Sequence, residues 1–127
     1  MTAGETQRVL LVEDDPIGRA AVAEYLAAKG FTILQAANAF EALALLNANI
    51  NVVAILSDIH LPGPMNGIAL AWEVRRHSPN MPMTLISGAA QPHPATLPPG
   101  VVFIEKPCLA SAIAAEVARM VKTSHAT

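Results

Sequence analysis

The sequence predicts an α/β domain, a doubly wound open parallel sheet with helices on both faces. Three observations predict it. Short apolar runs alternate with longer stretches of helical periodicity along the whole chain. The runs read as near-continuous Val, Ile and Leu rather than as alternating patterns, which is how a strand buried on both faces reads. The length of 127 residues fits one domain able to bury a core without staples.

Arg8 to Val12 is the first such run, and residues 1–7 before it form a polar lead-in. It stops at Glu13-Asp14-Asp15-Pro16, where Asp15 suits a helix N-cap and Pro16 a first helical position. A helix to about Lys29 follows, and Gly30 supplies its stop. Phe31 to Ala36 is a second strand, and Asn38 caps a helix reaching Leu46 or Asn47. Val52 to Leu56, the strongest apolar run, is a third strand ending at Ser57-Asp58. After the loop Pro62-Gly-Pro-Met-Asn66 comes a helix to about Arg76, with Trp72 expected in the core. Met83 to Ile86 and Val101 to Ile104 are the fourth and fifth strands, and Ala110 to Lys122 is the last helix, leaving 123–127 as a tail. Between Ser87 and Gly100 lie Pro92, Pro94, Pro98 and Pro99, so the helix that the rhythm calls for there should be short or missing.

Composition narrows the function. Apolar residues make up 53% of the chain and charged residues 14%, which describes a packed domain and not a disordered tail. The net charge is −2 and no run of Lys or Arg occurs, which disfavours direct nucleic-acid binding. Glu24, Glu41, Asp58, Glu73 and Glu116 interrupt the apolar stretches before any reaches membrane-spanning length. The start is polar and lacks the order of a secretion signal, and the single Cys108, expected to be a small buried residue, forms no intrachain disulfide. A cytoplasmic protein is the expectation.

The chemistry gathers at strand ends. Glu13 and Asp14 follow the first strand, Asp58 ends the third, Ser87 follows the fourth and Lys106 the fifth. In an open parallel sheet, ligands bind at the carboxyl ends of strands, so all five should share one crevice. Three crowded carboxylates repel unless a cation joins them, and oxygen ligands suit a hard divalent ion such as Mg²⁺. A carboxylate nucleophile, a metal, a lysine and a hydroxyl together make a phosphoryl-transfer site. Asp15 is better read as a helix cap. His77, His93 and His125 show no metal spacing and are expected in solvent.

The runs Val9-Leu-Leu-Val-Glu-Asp-Asp-Pro16, Ser57-Asp-Ile-His-Leu-Pro-Gly63, Leu85-Ile-Ser-Gly88 and Phe103-Ile-Glu-Lys-Pro107 resemble the receiver domain of two-component response regulators. The resemblance covers Arg8 to Lys122. It implies a flavodoxin-like (βα)5 sheet with strand order 2-1-3-4-5, as in the chemotaxis member of the family. It implies Asp58 as phosphoacceptor, with Mg²⁺ held by Glu13, Asp14, Asp58 and the backbone carbonyl of His60. Ser87 and Lys106 would contact the phosphoryl group, and Lys106 would precede a cis peptide at Pro107. Phe103 stands where the family carries a switching aromatic ring, although a strand aromatic is more often core.

The partners implied are a histidine kinase or histidine phosphotransfer protein, docking beside Ile17 and Ala20, and a downstream protein target. The domain would catalyse only its own phosphorylation and dephosphorylation and would act alone, without an attached output domain. Two departures stand out: the loop Leu61 to Gly67 is one residue longer than usual, and the fourth helix is short or missing. Two rivals remain open. One is a receiver-like binding module that is never phosphorylated. The other is an aspartate-nucleophile phosphatase, which would want an aspartate where His60 stands.

Overall fold

The computed structural model describes residues 7–48, 51–89 and 92–125. Its strands are β1 (Arg8–Val12), β2 (Thr32–Ala36), β3 (Val52–Asp58), β4 (Met83–Ser87) and β5 (Val102–Glu105). Its helices are α1 (Pro16–Ala28), α2 (Ala39–Ala48), α3 (Gly67–His77) and α4 (Ala110–His125). The strands form one parallel sheet in the order β2-β1-β3-β4-β5.

Alternation along the strands sends side chains to two cores. Leu10, Val12, Ile55, Met83 and Leu85 face α2 and α3, meeting Ala39, Ala42, Leu70, Ala71 and Val74. Val9, Leu11, Leu56 and Ile86 face α1 and α4, meeting Ala23, Leu26, Ile113, Val117 and Met120. Leu10, Leu26, Ile55 and Leu70 are fully buried, each worth roughly 1.5–3 kcal/mol relative to exposure. The buried polar Thr84 in β4 is satisfied across this second core, donating to Glu116 Oε2 at 2.6 Å on α4.

The helix starts follow from their caps. Asp15 accepts from the amides of Ile17 and Gly18, ahead of Pro16. Asn38 accepts from Glu41 N while Glu41 accepts from Ala37 N, a reciprocal box. Asn66 caps α3 through Ala69 N. Gly30 closes the α1–β2 turn with φ 99°, a left-handed value that glycine adopts without strain.

The expectation of a short or missing helix between β4 and β5 holds. The described residues from 92 to 101 contain one 3₁₀ turn, Pro94–Thr96, and otherwise run as a strap. Leu97 and Val101 pack from it onto the α2/α3 core. Two side chains of α3 tie it down: Trp72 Nε1 donates to Thr96 O at 2.9 Å, and Arg75 Nε donates to Pro99 O at 3.1 Å.

This corrects the placement of Trp72, which is 43% exposed and not core. The buried face of α3 is Gly67, Leu70, Ala71 and Val74, at i, i+3, i+4 and i+7. Trp72 falls just off that stripe, and its indole N–H finds a strap carbonyl. Cys108 is half-buried and not buried. The last helix continues past Lys122 to His125, so most of the expected tail is helical. His77 is exposed as expected but pairs with Glu73 at 3.0 Å. His93 is exposed and accepts from Ala95 N through Nδ1, and the side chain of His125 lies outside the described residues.

Candidate functional site

Strand register brings the predicted residues together. Glu13 leaves β1 with its amide still bonded to Ala36 O, so it exits at the same level as the end of β2. Asp58 is the last residue of β3 and is paired with Ile86 of β4. Ser87 ends β4, and its carbonyl accepts Lys106 N at 2.8 Å. Lys106 therefore starts from a fixed backbone position one step beyond β5, and the Lys106–Pro107 peptide is cis, as expected.

Lys106 Nζ lies 3.1 Å from Asp58 Oδ1 and 3.6 Å from Glu13 Oε1. One carboxylate oxygen each from Glu13, Asp14 and Asp58 lie within 4.8 Å of one another. Asp14 is exposed, while Glu13 and Asp58 are half-buried. This arrangement governs protonation. Burial and the neighbouring Glu13 push the Asp58 carboxyl up to about 7 against the opposing pull of Lys106. Burial would raise Glu13 as well, but its bonds to Asp58 and to the Asp15 amide, with Lys106 beside it, hold it below its ordinary value. The two carboxyls are thus pushed apart, Asp58 upward and Glu13 downward. Burial alone would depress the Lys106 ammonium, yet the two carboxylates keep it above its ordinary value.

The donor set fits a hard divalent cation. It is all oxygen, carries three carboxylates and opens to water through Asp14. His60 lies two residues past Asp58 and is exposed, and no hydrogen bond uses its carbonyl among the described residues. Ser87 is buried at 3% exposure, and its hydroxyl oxygen accepts Ala89 N at 3.1 Å. Beside it Gly88 leaves open space: an added Cβ would meet only Lys106 Cβ, at 3.9 Å. Phe103 is half-buried and packs on the α2/α3 core.

Three further residues shape the site. Arg19 Nη1 donates to Glu13 O at 2.8 Å, fixing the backbone of the acidic loop from α1. Ser57 is buried, and its hydroxyl donates to Asp58 O at 2.8 Å. Gly67 packs directly on the Asp58 backbone, and its amide donates to Ile59 O at 2.7 Å. Ser57 and Gly67 carry no chemistry of their own, so residue type gave no signal for them. The glycine closing the loop after Asp58 was the nearest thing to one.

A family model described as the response regulator receiver domain matches residues 9–118. The chain is 40% identical over 80 residues, 63% of its length, to the C4-dicarboxylate transport transcriptional regulatory protein DctD of Rhizobium meliloti (strain 1021), of which it spans 17%. It superposes on the receiver domain of the hybrid histidine kinase CckA with a TM-score of 0.77 and 30% identity, covering 90% of this chain and 98% of that one. A CheY-like receiver domain protein from Methanospirillum hungatei JF-1 shares the fold, with a TM-score of 0.84 at 23% identity over 96% of this chain and 98% of that one.

Proposed function

Because the chain belongs to the response regulator receiver family of two-component signalling, we propose that Asp58 is its phosphoacceptor and that Glu13, Asp14 and Asp58, with the His60 carbonyl, hold Mg²⁺. The observation that carries this reading is the contact of Lys106 Nζ with Asp58 Oδ1 at 3.1 Å inside a cluster of three carboxylates at the carboxyl ends of the strands.

The chemistry is a displacement at phosphorus. An oxygen of Asp58 attacks a phosphohistidine of a histidine kinase or phosphotransfer protein, the P–N bond breaks and a P–O bond forms. Mg²⁺ held by Glu13, Asp14 and Asp58 would supply positive charge beside the transferring oxygens. Lys106 already holds one Asp58 oxygen, and its half-exposed side chain would let the ammonium follow the charge onto the phosphoryl group. Gly88 leaves room for the group, and Ser87, released from Ala89 N, would donate to it. Phe103, on the strand that pairs with Ser87's, is the candidate to respond. Ile17, 81% exposed in the first turn of α1, and Leu109, 74% exposed beyond Lys106, offer apolar contacts to the phosphodonor.

The domain would signal through a protein partner, catalysing only its own phosphorylation and hydrolysis. Where a phosphomonoesterase of the aspartate-nucleophile class would need a second aspartate, His60 stands. None of the described helices is long and apolar enough to cross a membrane, and the net charge of −2 does not favour nucleic acid. The test is incubation with acetyl phosphate and MgCl₂. Intact-mass analysis should show one added phosphoryl group on the wild type and none on Asp58→Asn. An unmodified wild type, or a modified Asp58→Asn, would refute the assignment.

A further inference from the structure

At the opposite end of the sheet, the amino-terminal ends of β3, β4 and β5 border a cleft of about 590 Å³. It lies between the α3–β4 loop, the strap and α4. Its lining combines the apolar surfaces of Val52, Met81, Pro82 and Pro99 with two guanidinium groups, Arg75 and Arg119.

The two cations are held in place by groups that leave part of each unused. Arg75 Nη1 donates to the carbonyls of Ser78, Pro79 and Met81, and its Nε to Pro99 O. Arg119 Nε and Nη2 make a forked pair with Glu116 at 2.8 and 2.7 Å. Among the described residues, Arg75 Nη2 and Arg119 Nη1 have no acceptor. The carbonyls that would repel an anion at the end of α3 are already turned toward Arg75. Glu116 in turn is fastened to Thr84 and Arg119, which hold its carboxyl in the ionised form. Preorganised guanidinium donors beside apolar walls recognise an oxyanion on an apolar body.

We propose that this cleft binds a small oxyanion, a carboxylate or phosphate, carried on an apolar group. The ligand would bridge the strap at Pro99 and Gly100 to α4 at Arg119 and Thr123, near the end of that helix remote from Ile113, which borders Asp58 and Lys106. It would thereby give the domain a second input, separate from Asp58. The strap creates this site, because Pro99 and Gly100 form one of its walls.

The test uses phenyl phosphate as probe, with EDTA present to keep metal from Asp58, and ¹H–¹⁵N NMR as readout. Saturable shifts are expected at the amides of Met81, Gly100 and Thr123, with a dissociation constant of roughly a millimolar, the scale of a single weak polar contact set. Arg119→Ala should weaken binding about tenfold and Arg119→Glu should abolish it, because each removes a charge-assisted donor. Inorganic phosphate, lacking the apolar body, should bind several-fold more weakly. Shifts that rise without saturating overturn the proposal. So do shifts that survive in both Arg119 variants, or that sodium chloride reproduces at equal ionic strength.

Discussion

Gly67 sits directly against the carbonyl oxygen of Asp58, so closely that a Cβ at this position would overlap that oxygen and come within 2.8 Å of Ile59 Cα. The first residue of α3 and the proposed phosphoacceptor are therefore packed backbone to backbone, with the Gly67 amide bonded to Ile59 O. A methyl group here has only main-chain atoms to displace.

Gly67→Ala should therefore destabilise the domain by about 2 kcal/mol or more, the scale of overpacking a rigid site. The melting temperature should fall by roughly 6–10 °C, although alanine is the better helix former. Because the clash is with Asp58 itself, the variant should also accept phosphate from acetyl phosphate more slowly at temperatures where it is fully folded. Thermal denaturation followed by circular dichroism checks the first claim. An unchanged melting temperature would show that the backbone gives way at little cost.

Lys106 sets the charge of the site. Lys106→Ala removes the cation 3.1 Å from Asp58 and 3.6 Å from Glu13. The cluster then loses its ion-pair partner among the described residues, so Mg²⁺ should bind several-fold more tightly. Phosphorylation should nevertheless slow by about a hundredfold, since the group that stabilises the developing charge is gone. Metal titration and acetyl phosphate kinetics on the same variant separate the two effects. Weaker metal binding in the variant would contradict the electrostatic reading.

Under the proposed assignment, proton and Mg²⁺ compete for Asp58. Its carboxyl rises from an ordinary 3.8 to about 7 in the metal-free fold. The folded state then holds a proton that the unfolded state gives up. The resulting stabilisation is full below about pH 4 and is lost as pH rises through 7. Glu13 is shifted the other way, so its contribution is present above its ordinary pKa of 4.5 and is lost only as pH falls below that. Metal must displace the Asp58 proton, so MgCl₂ should raise the melting temperature little at pH 5 and clearly at pH 8. Melting curves with MgCl₂ and with EDTA across that range provide the check. A metal-induced gain that is flat from pH 5 to pH 8 would mean that Asp58 is already ionised without metal.

Periodicity and punctuation made most of this fold legible. The runs ending at Val12, Leu56 and Ile86 announced strands, and Asp15, Asn38 and Asn66 sit where the helices begin because their side chains satisfy free amides there. The candidate site was legible because its residues are chemically distinctive and stand at or just past the ends of β1, β3, β4 and β5. What was not legible depends on distance in space. Trp72 was expected in the core because it is large and apolar, but its ring lies off the buried stripe and is claimed by a carbonyl 24 residues away. Gly67 and Ser57 act through backbone contacts that residue type does not encode. The four prolines announced the loss of a helix between β4 and β5, but not the strap that Arg75 and Trp72 hold in its place.

That strap should open if its indole anchor is cut. Trp72 is the only tryptophan in the chain, and its N–H reaches Thr96 O at 2.9 Å on an exposed surface. Trp72→Phe keeps most of the apolar contact and removes the donor, so the global cost should be about 1 kcal/mol or less. The local cost should be larger in proportion, because among the described residues the only other side-chain hydrogen bond from α3 to the strap is Arg75 to Pro99 O. Within the strap, Leu97 N bonds to Pro94 O and Val101 N to Pro98 O, and these amides report whether it stays closed. In Trp72→Phe they should exchange with deuterium about five- to tenfold faster, while the amides of β1 and β3 keep their protection. Equal acceleration in the strap and in β3 would mean that the substitution acts only through global stability, and the anchor would then have no local role.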